Sequence, residues 1–140
     1  MRFIKPRLGL WQELDIKISP DLTDKEIDRS IKDTYDFVDG YVTTNATTQH
    51  NFGIGSASGD IVYAPSLRMQ KKVYERLKGT DKNITACGGI NSRERALERI
   101  EFEPQEDKRI QTLTGLLYGG PGFITDLKSG KFYKNGPEDN

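Results

Sequence analysis

The sequence predicts an α/β fold in which parallel strands alternate with helices, and three observations carry that expectation. Four short segments rich in β-branched residues, at 15–19, 41–45, 84–88 and 110–114, have the character of strands. Each is followed by a stretch with helical periodicity. The strand starts lie 26, 43 and 26 residues apart, close to the ~30 residues that one βα unit needs. Such alternation builds a parallel sheet covered by helices.

The elements follow in order. After the first strand, Thr23 with Glu26 three residues on forms a capping box. Ile27, Ile31, Tyr35 and Val38 then share one helix face, which predicts a helix to about residue 37. The second strand is followed by 46–64, a Gly/Ser/Thr-rich stretch too long for an ordinary βα loop and more typical of a lid or binding loop. A second helix is expected over 66–78, where Met69, Val73 and Leu77 repeat at four-residue spacing and Gly79 supplies the stop. A third is expected over 92–100, with Ala96, Leu97 and Ile100 as its buried side and the mixed charges of 93–99 as a solvated face. A short fourth helix, 123–127, ends before Gly130. Residues 128–140 are polar and form a tail, which leaves one domain over residues 1–127.

Composition excludes several classes. The 34% hydrophobic fraction rises to about 44% once the 14 glycines among 140 residues are counted, near the globular norm of roughly 45–50%. Twenty-one basic residues balance 21 acidic ones, so no net field draws the chain to nucleic acid. The absence of a long apolar run argues against a spanning helix or a secretory leader. One Cys and one His cannot make a disulfide or a zinc site. A cytoplasmic, metal-independent protein is expected.

Four βα units suit either an open doubly wound sheet or half of a (β/α)8 barrel. Loop chemistry favours the barrel. Two Gly-rich turns follow the last two strands: Cys87-Gly88-Gly89-Ile90-Asn91-Ser92, and Thr114-Gly115 through Gly119-Gly120-Pro121-Gly122. Glycines there let the backbone approach a phosphate, with N–H groups and a helix N-terminus aimed at it. Barrels often place their phosphate site after the seventh and eighth strands. Lys17, set between Ile16 and Ile18, would be costly on a sheet covered on both faces unless an anion meets it. Asn45 closes the second strand at the rim where barrel ligands bind. Thr44 and Thr114 have the character of sheet residues, Cys87 of a small buried filler, and His50 of a solvated loop residue.

Taken in order, Lys17-Ile18-Ser19-Pro20-Asp21-Leu22-Thr23, Asp39-Gly40 with Thr44-Asn45-Ala46-Thr47, Gly88-Gly89-Ile90 with Ser92, and Gln111-Thr112-Leu113-Thr114-Gly115 through Tyr118-Gly119-Gly120-Pro121 resemble dihydroorotate dehydrogenase. The likeness is to the C-terminal half of the quinone-linked class, from about residue 17 to 127. It implies the C-terminal half of a (β/α)8 TIM barrel holding FMN at the C-terminal strand ends. Lys17 would sit at the N1/O2 edge of the flavin ring, where a fixed positive charge favours the reduced anion. Thr44 would touch the cofactor, and Gly88, Gly89, Leu113 and Thr114 would surround its phosphate. Asn45, with Ala46 beside it, would meet dihydroorotate or orotate. The resemblance also implies oxidation of dihydroorotate in pyrimidine biosynthesis, by proton removal at C5 and hydride transfer from C6 to the flavin, with quinone as acceptor.

The sequence departs from the family at several places. It begins where the fifth strand is expected, so the catalytic serine that acts as base and the quinone-binding helices have no counterpart. Attachment to the inner membrane would come only through that N-terminal half. Ala46 stands where the family has threonine, which removes a hydrogen bond worth about 0.5–1.5 kcal/mol. Gly59-Asp60-Ile61-Val62-Tyr63-Ala64-Pro65 stands in place of Gly-Gly-Leu-Ser-Gly before a proline, and Tyr63 is expected to obstruct the cofactor. The segment 101–109 is longer and more charged than the usual turn. Half a barrel leaves two sheet edges and one interior face open, so a partner is expected: an N-terminal half or a second copy of the chain. The alternatives are a non-catalytic half-barrel that binds a phosphorylated ligand or a protein, and another flavin- or phosphate-binding barrel enzyme.

Overall fold

The computed structural model describes residues 13–129. Four parallel strands lie in the order β1 (Asp15–Ile18), β2 (Gly40–Thr43), β3 (Asn83–Cys87), β4 (Ile110–Gln111). Between and after them come α1 (Asp24–Thr34), a 3-10 turn (Asp60–Val62) running into α2 (Tyr63–Leu77), α3 (Arg93–Ile100), α4 (Thr114–Gly119) and α5 (Gly122–Ser129). The expected tail beyond residue 129 lies outside the described residues, and 128–129 belong to α5.

Register sorts the two faces of the sheet. Ile16 pairs with Tyr41 and Tyr41 with Ile84, while Lys17 pairs with Val42 and Val42 with Thr85. The first row turns toward the helices. There Ile18, Tyr41 and Ile84 join Ile27, Val38, Met69, Val73 and Leu77 in one buried cluster. The alternate face carries Lys17, Val42 and Thr85. Glu13, just ahead of β1, hydrogen-bonds Asn83 and pairs with Arg109, just ahead of β4, so one side chain ties the first strand to the third and fourth.

The capping box forms as its spacing predicts, with Thr23 Oγ1 accepting from Glu26 N–H and the Glu26 carboxylate accepting from Thr23 N–H. Helix α1 stops at Thr34 rather than near 37: Tyr35 N–H still donates to Ile31 O, but Phe37 N–H donates to Thr34 O in a turn (2.9 Å). Helix α2 begins three residues earlier than its periodicity suggested, and it ends at Leu77 ahead of Gly79 at φ +82°.

Three expectations need correction. Strand β4 holds two residues, not five, because Thr112 bonds Ile90 O (3.0 Å) and Thr114 already begins α4. On α3, Leu97 is exposed, and the buried residues are Ala96 and Arg99, which share a face at i, i+3 spacing. The 93–99 segment is therefore no purely solvated face. Lys17 is exposed, since helices cover only the other face of β1, and it makes no ion pair among the described residues. The burial argument for an anionic partner does not apply to it.

Thr23→Ala removes the reciprocal cap without touching the core, and should lower unfolding free energy by about 1 kcal/mol in urea titration. An unchanged midpoint would mean that α1 is held by packing alone.

Candidate functional site

A pocket of about 870 Å3 opens at the C-terminal ends of the strands. Lys17, Thr44, Asn45, Ala46, Gly88, Gly89, Leu113 and Thr114 all line it, so residues up to 97 positions apart converge on one place. Chain turns just past each strand end create this convergence. Asn45 N–H donates to Ile18 O (2.8 Å) and Thr44 N–H to Cys87 O (2.7 Å), which extends the strand pairing to the rim.

The individual groups differ in how free they are. Asn45 is exposed, and its side-chain amide makes no hydrogen bond to a described residue. Thr44 is 1% exposed, and its hydroxyl is committed to Asn45 O (2.9 Å) and Ser66 Oγ. Leu113 is 69% exposed and presents an apolar side chain at the mouth. Thr114 Oγ1 pairs with Ser58 Oγ (3.2 Å), fastening α4 to the long loop. That loop is held to β1 by Asp21, whose carboxylate accepts from Thr47 Oγ1 and from Thr48 N–H and Oγ1. His50 stays within the loop, where Nε2 meets Gly55 O and Nδ1 accepts from Phe52 N–H. Cys87 is half-buried and lines the pocket.

Gly88 and Gly89 take φ of +105° and +68°, a region that disfavours side chains. A Cβ on Gly88 would strike Ser66 Oγ, and one on Gly89 would strike the Tyr63 backbone. Packing against α2 thus already requires both glycines. Tyr63 does not obstruct the pocket: its ring lies 4.2 Å from the Arg95 guanidinium and its hydroxyl donates to Glu98. Burial, then the Glu98 carboxylate, push that phenol up to about 12. Tyr63 is not among the pocket-lining residues, because the ring turns toward α3 while its Cβ and backbone lie against Gly89.

The residues that pattern reasoning missed are buried behind the pocket. Arg99 is fully buried and donates to Gly88 O (3.1 Å), Cys87 O (3.0 Å), Thr43 O and Gln70 Oε1. Gln70 in turn donates to Arg99 O (2.9 Å) and Phe102 O. Burial lowers the Arg99 pKa to about 10, which leaves it charged at neutral pH. Glu103, 2% exposed, accepts from Ala86 N–H (3.1 Å), Arg109 N–H (2.7 Å) and Gln105 Nε2 (3.1 Å), and so docks the segment before β4 against β3. Burial pushes its carboxyl up to about 7, against the pull of the Arg109 and Ala86 N–H groups and of Lys108 and Arg99. Only one signal in the sequence pointed here, the length and charge of 101–109.

The lining holds carboxylates as well. Asp60 is paired with Arg95 (2.5 Å), which neutralises it, and Asp126 stands on α5. Pocket size and strand-end placement suit a small phosphorylated ligand. Among the described residues no three His, Cys, Asp or Glu side chains gather to hold a metal, and no helix is long and apolar enough to cross a membrane.

The fold is a partial (β/α) barrel with a pocket at the C-terminal strand ends. By sequence and by fold, the chain is related to the dihydroorotate dehydrogenases. It is 32% identical over 127 residues to dihydroorotate dehydrogenase (quinone) of Corynebacterium diphtheriae, covering 82% of this chain and 34% of that protein. It is 34% identical over 121 residues to the enzyme of the same name from Natronomonas pharaonis, with the same two coverages. A crystal structure of DHODH from Eimeria tenella in complex with ferulenol superimposes with a TM-score of 0.75 at 28% identity, over 84% of this chain and 32% of that one. The chain thus spans about a third of the length of the relatives it matches. No protein-family profile matches it.

The pH dependence of stability follows from Glu103. An unfolded chain returns its carboxyl to the ordinary 4.5. Between pH 4.5 and 7 the folded protein keeps a proton that the unfolded chain has lost. The contribution is therefore full below 4.5 and is lost as pH rises through about 7, a change of roughly 3 kcal/mol. Urea midpoints should fall from pH 5 to pH 8, and Glu103→Gln should flatten that slope. An equal slope in the variant would assign the effect to another group.

Proposed function

We propose that this chain forms the FMN-binding part of a barrel of the dihydroorotate dehydrogenase type. One observation carries this: Lys17, Asn45, the Gly88–Gly89 turn and Leu113–Thr114, distant in sequence, share one pocket at the strand ends. The residues fit the cofactor. Gly88 and Gly89 turn their backbone at the pocket wall, Arg95 neutralises the Asp60 carboxylate beside them, and Tyr63 leaves the space clear.

FMN, when bound, supplies the acceptor for a hydride from the substrate. Lys17 reaches the pocket from β1 as an exposed ammonium and is assigned to the N1/O2 edge of the ring, where its charge stabilises added electrons. The free amide of Asn45 is assigned to the pyrimidine of dihydroorotate, accepting and donating at once. Ala46 beside it offers no hydroxyl. Gly88, Gly89, Leu113 and Thr114 are assigned to the phosphate, and Thr44, whose hydroxyl is committed within the protein, shapes the wall through its backbone and methyl. The base that removes the substrate proton is assigned to the other strands of the barrel, as is contact with quinone. Among the described residues, β1 and β4 end the sheet on either side, and an N-terminal half or a second copy would complete it.

A second possibility is a non-catalytic half-barrel for a simpler phosphorylated ligand. The missing hydroxyl at Ala46 and the committed hydroxyl of Thr44 favour it.

Titration of FMN into the purified chain, with and without a candidate N-terminal half, should give saturable fluorescence quenching. In Lys17→Ala, FMN should still bind, while the midpoint potential of the bound flavin falls by about 30 mV or more, the two-electron equivalent of a tenfold change. No uptake of FMN under either condition would overturn the proposal. Thermal stabilisation by sugar phosphates but not by FMN would select the second possibility, at about 2.7 kcal/mol for ligand at 100 times its dissociation constant.

A further inference from the structure

Three successive carbonyls leaving β3 are each held by a guanidinium of α3. Arg99 donates to Cys87 O (3.0 Å) and Gly88 O (3.1 Å), and Arg95 donates to Gly89 O (2.9 Å). A trans peptide sets the N–H opposite to the C=O of its own unit, and these three units are trans. The N–H groups of Gly88, Gly89 and Ile90 are therefore turned away from the arginines. The Gly88 N–H faces Gln111 O across the β3–β4 pairing, whereas those of Gly89 and Ile90 donate to no described residue. All three residues line the pocket.

A run of N–H groups turned to one side, made accessible by positive φ at two glycines, is an anion-binding concavity. It keeps that shape only while the carbonyls behind it are fixed. The two arginines are themselves fixed. Arg99 is fully buried and also holds Thr43 O and Gln70. Arg95 is paired with Asp60 and lies over the Tyr63 ring. The Arg99 charge also stands behind the concavity and adds to its attraction for an anion, while that of Arg95 is balanced by Asp60.

We infer that Arg99 and Arg95 are positioning residues of a phosphate cradle: by gripping the carbonyls of residues 87–89, they aim the N–H groups of Gly89 and Ile90 at the phosphate of the ligand. The inference rests on the flavin reading above only for the identity of that ligand. The cradle itself recognises any accessible phosphate monoester.

The test uses the full chain, labelled with nitrogen-15, and two variants. Arg99→Lys keeps the charge but loses the fork that spans neighbouring carbonyls. Arg95→Gln alters a partly exposed side chain and leaves the core intact. The probes are inorganic phosphate, FMN and riboflavin, which lacks the phosphate. In the wild type, phosphate should shift the amide signals of Gly89 and Ile90, and FMN should bind more tightly than riboflavin. Each variant should weaken FMN about tenfold, the effect of one charge-assisted hydrogen bond, while riboflavin changes less than about twofold.

Equal weakening of both flavins, or amides unmoved by phosphate, would overturn the inference. If phosphate shifts these amides in the wild type and not in Arg95→Gln while neither flavin binds, the cradle stands and the flavin reading fails. If both flavins bind equally and the amides stay still, the flavin reading stands and the cradle fails. Should Arg99→Lys not fold, Arg95→Gln decides.

Discussion

The pocket depends on a buried charge. Burying a guanidinium is expensive unless its donors find partners, and here Arg99 makes four hydrogen bonds, to carbonyls where β2 and β3 end and to Gln70 of α2. These are the points at which regular strand pairing stops, and Cys87 O is shared between Arg99 and Thr44 N–H. Arg99 thus solves two problems with one side chain: it satisfies the loose ends of the sheet, and it joins α2 and α3 to the rim. Removing one member of such a network typically costs about 3–5 kcal/mol, because the remaining groups stay buried without partners. The rim is rigid for this reason, and a rigid rim can present N–H groups in a fixed direction.

Much of the scaffold was legible from residue pattern. The Thr23 and Glu26 pair forms its cap, Met69, Val73 and Leu77 are buried on α2, and the four strand segments pair in parallel in chain order. Local chemistry governs these features, so local pattern reveals them. The buried arginine was not legible, since at i, i+3 from Ala96 an Arg has the same sequence signature whether it meets water or a ring of carbonyls. Only the path of β2 and β3 decides between them. The end of β4 was missed for a related reason: Thr112 and Thr114 have high strand propensity, but a tertiary hydrogen bond to Ile90 O turns the chain into α4.

The candidate pocket was legible in its membership and less so in its detail. Lys17, Asn45, Gly88, Gly89, Leu113 and Thr114 were singled out from separate motifs, and topology brings them together because parallel strands deliver every C-terminal end to the same side of the sheet. The direction of a side chain was harder to foresee. Tyr63 was expected to crowd the space and instead lies against Arg95, where cation–π contact and the Glu98 carboxylate hold it. Lys17 was expected to be buried beside an anion and is exposed, because helices cover one face of β1 and the pocket opens on the other.

The Gly88–Gly89 turn shows why a motif and its physical cause must be kept apart. A pair of glycines after a barrel strand suggests close approach by a phosphate, yet the space beside each Cα is taken by Ser66 or by the Tyr63 backbone. A side chain is excluded there whether or not a ligand is present. What a ligand would use is on the opposite side of the same peptides, where the N–H groups of Gly89 and Ile90 donate to no described residue. The glycines make the turn possible, α2 fills the space that their missing side chains leave, and the arginines of α3 set the direction in which the turn faces. Binding capacity at this rim therefore arises from the helix layer behind the sheet as much as from the loop that would touch the ligand.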